Sequence, residues 1–280
     1  MMAGFSVSTF QASGWLAPNE QDNIALAPAP AAGCYRERSA AGHSCEGHMD
    51  VKESGLLGGS VGDHWYYQSK KLALDSMLRG TSFHRVLDIG AGSGIFSRHL
   101  LERGGNSAVC VDSAYAEDRL DSFWGKPVRF VREIIPCDAD LVLLMDVLEH
   151  VDDDVKFIKA GVAGAAAGAF VLITVPAFQS LFSAHDRFLE HRRRYTIRSL
   201  EATVRAAGLE IVSTRYFFAF LLPIAAAIRV LQRNSPPRSS LIVLSQLVNA
   251  LLTFAHRMEL PLFRFNRLGG LSVFCLARLP

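Results

Sequence analysis

Short runs of consecutive apolar residues alternate along this chain with stretches in which apolar positions recur every three or four residues. Residues 85–89, 108–112, 128–133, 141–145 and 170–175 have the length and aliphatic content of strands. The unbroken apolar run at 141–145 suits a strand covered on both faces. Helical spacing occupies 95–103 and 155–167, and Thr196 is placed as the N-cap of a helix that runs to Ala207 and closes at Gly208. An earlier helical pattern passes through Leu72, Leu74, Met77 and Leu78 and stops at Gly80. Residues 211–220 and 271–279 predict a sixth and a seventh strand, with helical pieces at 221–232 and 241–256 between them. In the second piece Ser245, Gln246, Asn249, Thr253 and His256 form one thin polar seam on an otherwise apolar helix. Such alternation predicts a doubly wound parallel sheet.

Outside that pattern the chain reads differently. Residues 1–50 are rich in Ala, Gly, Ser and Pro and predict a disordered tail, 51–84 a helical cap, and 85–280 the main domain with an apolar insertion at 221–270. Cys34, His43, Cys45 and His48 in the tail match no common zinc spacing, and no metal is assigned. The 280 residues are 50% hydrophobic and carry a formal charge of only +2, so no nucleic-acid partner is expected. Five cysteines, two of them in apolar strands, predict free thiols. No secretory signal is read at the start. The longest apolar run, 217–228, contains Pro223 and falls short of the roughly 20 residues of a spanning helix.

The chemistry begins at Asp88-Ile89-Gly90-Ala91-Gly92-Ser93-Gly94. A buried strand delivers Asp88 to the carboxyl edge of the sheet, and the glycines let the backbone turn and approach a ligand closely. That device alone also serves dehydrogenases. The second strand ends in Asp112, where a carboxylate can accept two ribose hydroxyls, and the fourth in Asp146-Val147-Leu148-Glu149-His150. Together these three segments resemble class I S-adenosylmethionine-dependent methyltransferases over residues 64–212, in particular a bacterial type 11/type 12-like subfamily, and distantly the quinol O-methyltransferases. The resemblance implies a Rossmann-like seven-stranded sheet with the last strand antiparallel, and S-adenosyl-L-methionine as cofactor. It also implies that Gly90, Gly92 and Gly94 line the methionine and ribose portion, that Asp112 holds the ribose, and that Asp88 orients the loop. Asp146 is placed at the cofactor. Glu133, with Asp138 competing, maps to the acid that contacts adenine. Lys70, in the His64-Trp65-Tyr66-Tyr67 lead-in, maps to a basic residue that meets the cofactor carboxylate.

Methyl transfer needs an aligned nucleophile and, for a hydroxyl or protonated amine, a base. His150 and the segment His185-Asp186, which resembles the "HD…HxRRYT" stretch of the same subfamily, supply the candidates His185, His150 and Asp186. Asp146, Glu149 and His150 could hold a divalent cation, but only two of the three share a helical face easily. Arg192, Arg193 and Arg194 read either as an anion site or as a solvated run. The insertion, flanked by Arg229, Arg233, Arg238, Arg257, Arg264 and Arg267, reads either as a membrane-docking element giving access to a lipid-linked acceptor or as a pocket cap or dimer face. The resulting expectation is a cytoplasmic methyltransferase, either soluble or peripheral at the inner membrane face, acting on a small hydrophobic or lipid-linked acceptor on oxygen or nitrogen. A natural-product enzyme with a soluble acceptor and a non-catalytic cofactor-binding subunit stand as alternatives.

Overall fold

The computed structural model describes residues 62–231 and 245–280; the tail with Cys34, His43, Cys45 and His48, and also Arg233 and Arg238, lies outside them. Helix α1 (Trp65–Met77) precedes β1 (Arg85–Ile89), α2 (Ile95–Glu102) and β2 (Ser107–Val111). Strands β3 (Arg119–Phe123), β4 (Lys126–Val131) and β5 (Leu141–Met145) follow, then α3 (Asp154–Val162) and β6 (Phe170–Pro176). After the short α4 (Ala184–Phe188) come α5 (Ile197–Ala206), β7 (Glu210–Phe217), α6 (Leu222–Leu231), α7 (Gln246–Phe263) and β8 (Ser272–Arg278).

The strands form one sheet in the order β3-β4-β2-β1-β5-β6-β8-β7. Strands β4, β2, β1, β5 and β6 run parallel, and β8 is antiparallel to both its neighbours, as expected for the last strand. Burial explains the apolar runs. All five residues of β5 are buried because Leu141 and Leu143 enter the core on one face, with Leu74, Leu101 and Phe274, while Val142 and Leu144 enter the other, with Ile158, Leu200 and Val204.

Among the described residues the count is eight strands, not seven. The addition is β3, which pairs with β4 as an antiparallel hairpin at the sheet edge. Its four leading residues are exposed, Leu120 among them, so no alternation marks it as a half-buried strand. The turn uses Trp124 (φ 55°) and Gly125 (φ 71°), both left-handed. Asn-Gly is the usual signal for such a turn; a tryptophan in the first place hid it.

Helix α7 explains the polar seam. Asn249 Oδ1 accepts the Trp65 backbone N–H at 2.6 Å and its amide donates to the Asp63 carbonyl at 2.8 Å. Buried His256 stacks on Trp65, with ring centroids 5.4 Å apart, and bonds Glu259 at 3.1 Å. The seam thus docks on the start of α1 and satisfies helix-end donors that would otherwise lack partners. Because Asn249, Thr253 and His256 face inward, Leu247, Leu251, Phe254 and Met258 face out.

Candidate functional site

The carboxyl edge of the parallel strands carries the loop that was read as the cofactor cradle. Gly90, Gly92 and Gly94 all have positive φ (73°, 51° and 71°), which explains why the sequence uses glycine at each. The loop is tied to the neighbouring strand. Gly90 and Ala91 donate to the Val111 carbonyl at 2.8 and 3.1 Å, and Gly92 N–H donates to Asp112 Oδ2 at 3.0 Å. Tyr115 Oη, which no sequence motif marks, donates to the Gly92 carbonyl at 2.7 Å. Asp88 is buried and accepts from Ser97 Oγ at 2.7 Å, so it braces the loop against α2 from behind.

A cleft of about 240 Å³ opens beside this loop, and Gly90, Asp112, Asp146 and His150 are among its walls. Glu133 is exposed and is not one of them; its neighbours Arg132 and Ile134 are, opposite Phe157. The adenine contact expected at Glu133 thus finds no support in the lining of this cleft. The remaining donor set fits a nucleoside: a carboxylate at the end of β2, a wall without a side chain at Gly90, and apolar surfaces around them.

A second cleft, about 370 Å³, lies on the other side of Met145 and Asp146, which line both. Its walls are mostly apolar and aromatic: Trp65, Tyr66 and Phe218, with Leu221, Ile224 and Ile228 from the insertion. Polar groups enter at Glu149, His185, His191, Arg194 and Arg229. Two wall residues, Asp146 (φ 57°) and Phe218 (φ 64°), are held in left-handed backbone. Strain of that kind persists only where surroundings over-determine it. Phe218 stacks on Tyr66, with centroids 5.6 Å apart, and lies edge-on to Trp65.

Lys70 does not line either cleft. Its ammonium is buried and paired with Asp146, which also accepts from Thr174 Oγ1 at 2.9 Å and Tyr66 Oη at 3.2 Å. Burial pushes the Asp146 carboxyl up, but the Lys70 ammonium, the Thr174 hydroxyl and His191 together outweigh it and hold the carboxyl below the ordinary range. The expected partner of Lys70, a cofactor carboxylate, is replaced by a carboxylate of the protein, and Lys70 acts on the site through Asp146. This pairing also removes Asp146 from the cation set considered with Glu149 and His150. Burial, and then the Asp146 charge, push the Glu149 carboxyl well above its ordinary range.

The candidate catalytic residues separate. His185 lines the second cleft, whereas His150 lines the first. Asp186 lines neither. It is fully buried and anchors a charge cluster: Arg194 Nε donates to it at 2.6 Å, His191 Nδ1 at 2.9 Å, and Arg229 Nη1 at 3.2 Å. Oδ2, which accepts from Arg229, also caps α4 through the Ser183 N–H at 2.8 Å. Asp186 is a positioning residue. The three arginines of the run are likewise taken: Arg192 pairs with Asp152, Arg193 donates to the Val151 and Asp152 carbonyls, and Arg194 holds Asp186 and the Ala177 carbonyl. Only Arg194 reaches a cleft wall, so the anion-site reading fails for the run as a whole.

Burial, followed by the Arg229 charge, pushes the His185 imidazole down to about 3. The ring is therefore neutral at neutral pH and a weak base. Replacing Arg229 with Gln removes the second of these causes and leaves the first. The expected result is a rise in the His185 pKa that stops short of its ordinary value, followed by NMR titration of the ring carbon resonance. An unchanged or lowered value would contradict the electrostatic account.

Comparison with known proteins agrees with this geometry. A family model described as a methyltransferase domain matches residues 63–214. Among solved structures, a complex of the Haloferax volcanii Trm112 methyltransferase activator with a methyltransferase aligns at 15% identity over 82% of this chain and 95% of that chain, with a TM-score of 0.51. Phosphoethanolamine N-methyltransferase 2 of Haemonchus contortus, bound to S-adenosyl-L-methionine, aligns at 17% identity over 82% of this chain and 56% of that one (TM-score 0.49). An S-adenosylmethionine-dependent methyltransferase of Mesorhizobium loti aligns at 16% identity over 75% and 97% (TM-score 0.48). No curated protein sequence matches the chain. At 15% identity the likeness to the Haloferax volcanii complex speaks for the fold alone. The family match covers more than half of the 280 residues and contains the glycine loop, Asp112 and the segment after β5, so the chain belongs to the methyltransferase-domain family, in the Rossmann-like class that uses S-adenosylmethionine.

Proposed function

We propose that this methyltransferase modifies a hydrophobic, lipid-linked acceptor that it takes up from a membrane surface. The observation that carries the reading is the continuity between the second cleft and an exposed apolar face. Ile224 and Ile228 of α6 line the cleft and are also 60% and 46% exposed. On α7, whose Leu252 also lines the cleft, Leu247, Leu251, Phe254, Met258 and Leu262 are all exposed at spacings of four, three, four and four residues, one face of one helix. No helix among the described residues is long and apolar enough to cross a membrane. A long apolar face bordered by exposed Arg257 and Arg264 suits a helix lying in the plane of an anionic bilayer. Arg229 and Arg267 take no part in this, since they pair with Asp186 and Glu201.

S-adenosylmethionine supplies an electrophilic methyl group when bound. Asp112 and the glycine loop would hold it in the first cleft, and Met145 and Asp146, which line both clefts, mark where it would meet the acceptor. The apolar walls of the second cleft exclude water from the acceptor, and neutral His185 offers a hydrogen-bonding group without a charge.

Vesicle flotation tests the membrane part. The protein is expected to float with anionic phosphatidylglycerol vesicles, less at high salt, and Leu251→Glu/Phe254→Glu should weaken partitioning more than tenfold, since each buried side chain is worth about 1.5–3 kcal/mol. Unchanged flotation of the double variant would remove the membrane source. The aromatic walls Trp65, Tyr66 and Phe218 favour a second reading, a planar soluble acceptor. That reading predicts equal turnover with and without vesicles, and equal turnover by the double variant.

A further inference from the structure

We infer that Glu149, His150 and His191 form a binding site for a single divalent transition-metal ion at the junction of the two clefts. One ligand atom from each of the three lies within 4.8 Å of the other two. Two ligands about 2.1 Å from one ion stand at most about 4.2 Å apart, so small side-chain rotations close the site. His150 borders the first cleft, and Glu149 and His191 border the second. The His150 and His191 rings meet edge-on with centroids 4.8 Å apart.

Two further observations point to a cation. The first is Glu149 itself. Its side chain is fully buried, and neither carboxylate oxygen accepts a hydrogen bond from another described residue. Burying a carboxyl group with both oxygens unpartnered is costly, and coordination of a cation is one way to satisfy them. The second is the support behind His191. Its Nδ1 bonds Asp186 at 2.9 Å, so a buried carboxylate orients the ring. Asp186 is fixed in turn by Arg194, Arg229 and the Ser183 N–H. A buried carboxylate that orients a histidine through its far nitrogen is the usual second layer of a metal site.

Two imidazoles and one carboxylate favour zinc, iron(II) or cobalt(II) over magnesium or calcium, and three protein ligands leave positions open for an exogenous group. An acceptor hydroxyl in an open position would have its pKa lowered and release its proton to water. This use of the ion rests on the acceptor site proposed above, whereas the site itself does not. Asp146 is not a ligand, because Lys70 and Thr174 occupy its oxygens.

The experiment is a titration of the chelator-stripped full chain with Co2+ and Zn2+, read by calorimetry and by the visible d–d bands of Co2+, with no acceptor present. One equivalent should bind with nitrogen-ligated d–d bands. Glu149→Gln and His191→Gln should each remove it, while circular dichroism and S-adenosylmethionine binding stay intact. Asp186→Asn should weaken it about 10–100-fold. A folded wild type without that equivalent would overturn the site. So would one whose binding survives both ligand substitutions, which would locate the ion elsewhere, for example at the tail cysteines and histidines. If either variant fails to fold, pulsed EPR of the Co2+-loaded wild type decides. Coupling to two imidazole nitrogens supports the site, and its absence refutes it.

Discussion

Gly90→Val is expected to abolish S-adenosylmethionine binding while leaving a folded protein. Three effects act together at this position. Gly90 has φ 73°, a backbone region that a β-branched residue adopts only under strain. A Cβ there would stand 2.6 Å from Val147 Cγ2, so Val147 or the loop must move. Gly90 is also a wall of the first cleft, and its new side chain would take up ligand space. Backbone strain alone would be felt mainly in stability; the cleft effect is felt in binding. Gly80 separates the two, because it has a similar φ of 82° but nothing within 4 Å of a built Cβ. Calorimetry should show at least a hundredfold loss for Gly90→Val, about 2.7 kcal/mol, against little change for Gly80→Ala, which carries only the strain. Equal affinities for the two variants would place the cofactor elsewhere.

The contrast between these glycines reflects what a sequence can reveal. The strands around the sheet centre, the glycine loop and Asp112 were legible because each is a local pattern: a buried run, a turn requirement, a carboxylate at a strand end. The Thr196 cap was legible for the same reason, and the structure closes it with Ser199. What failed to show was set by distance along the chain. Lys70 and Asp146 are 76 residues apart, and no local feature told Lys70 that its anion belonged to the protein. Asn249 meets Trp65 across 184 residues, so the polar seam of α7 could be seen but not its partner. The β3 hairpin was missed for the opposite reason. It is local, but Trp124 occupies the turn and no buried face imposes alternation. The inverted polarity of α7 follows from tertiary docking too, since a helical pattern shows a stripe without saying which side is inside.

Asp186 is the strongest instance, and its substitution should have the largest effect on stability. His185-Asp186 reads as a catalytic pair because the two are adjacent, yet adjacent residues on a helix point in different directions. The structure sends His185 to the second cleft and Asp186 into the protein, where it meets two guanidinium groups and an imidazole. In Asp186→Ala these groups lose their common anion. Arg229 retains a path to water, with 17% of its side chain exposed, but Arg194, at 2%, does not. Leaving a buried cation unpaired costs about 3–5 kcal/mol, and loss of the α4 cap adds about 1 kcal/mol. Thermal melts should therefore fall by roughly 10 °C or more. If the stranded cation dominates that loss, the double variant Asp186→Ala/Arg194→Leu should be more stable than the sum of its single variants by about 1–3 kcal/mol. Strict additivity would mean that the helix cap, not the charge cluster, is what Asp186 provides. A melt within 2 °C of the wild type would show that the cluster relaxes freely. In that case nothing would hold His191 and Arg194 at the cleft wall, and the polar side of the acceptor site would have to be assigned to other residues.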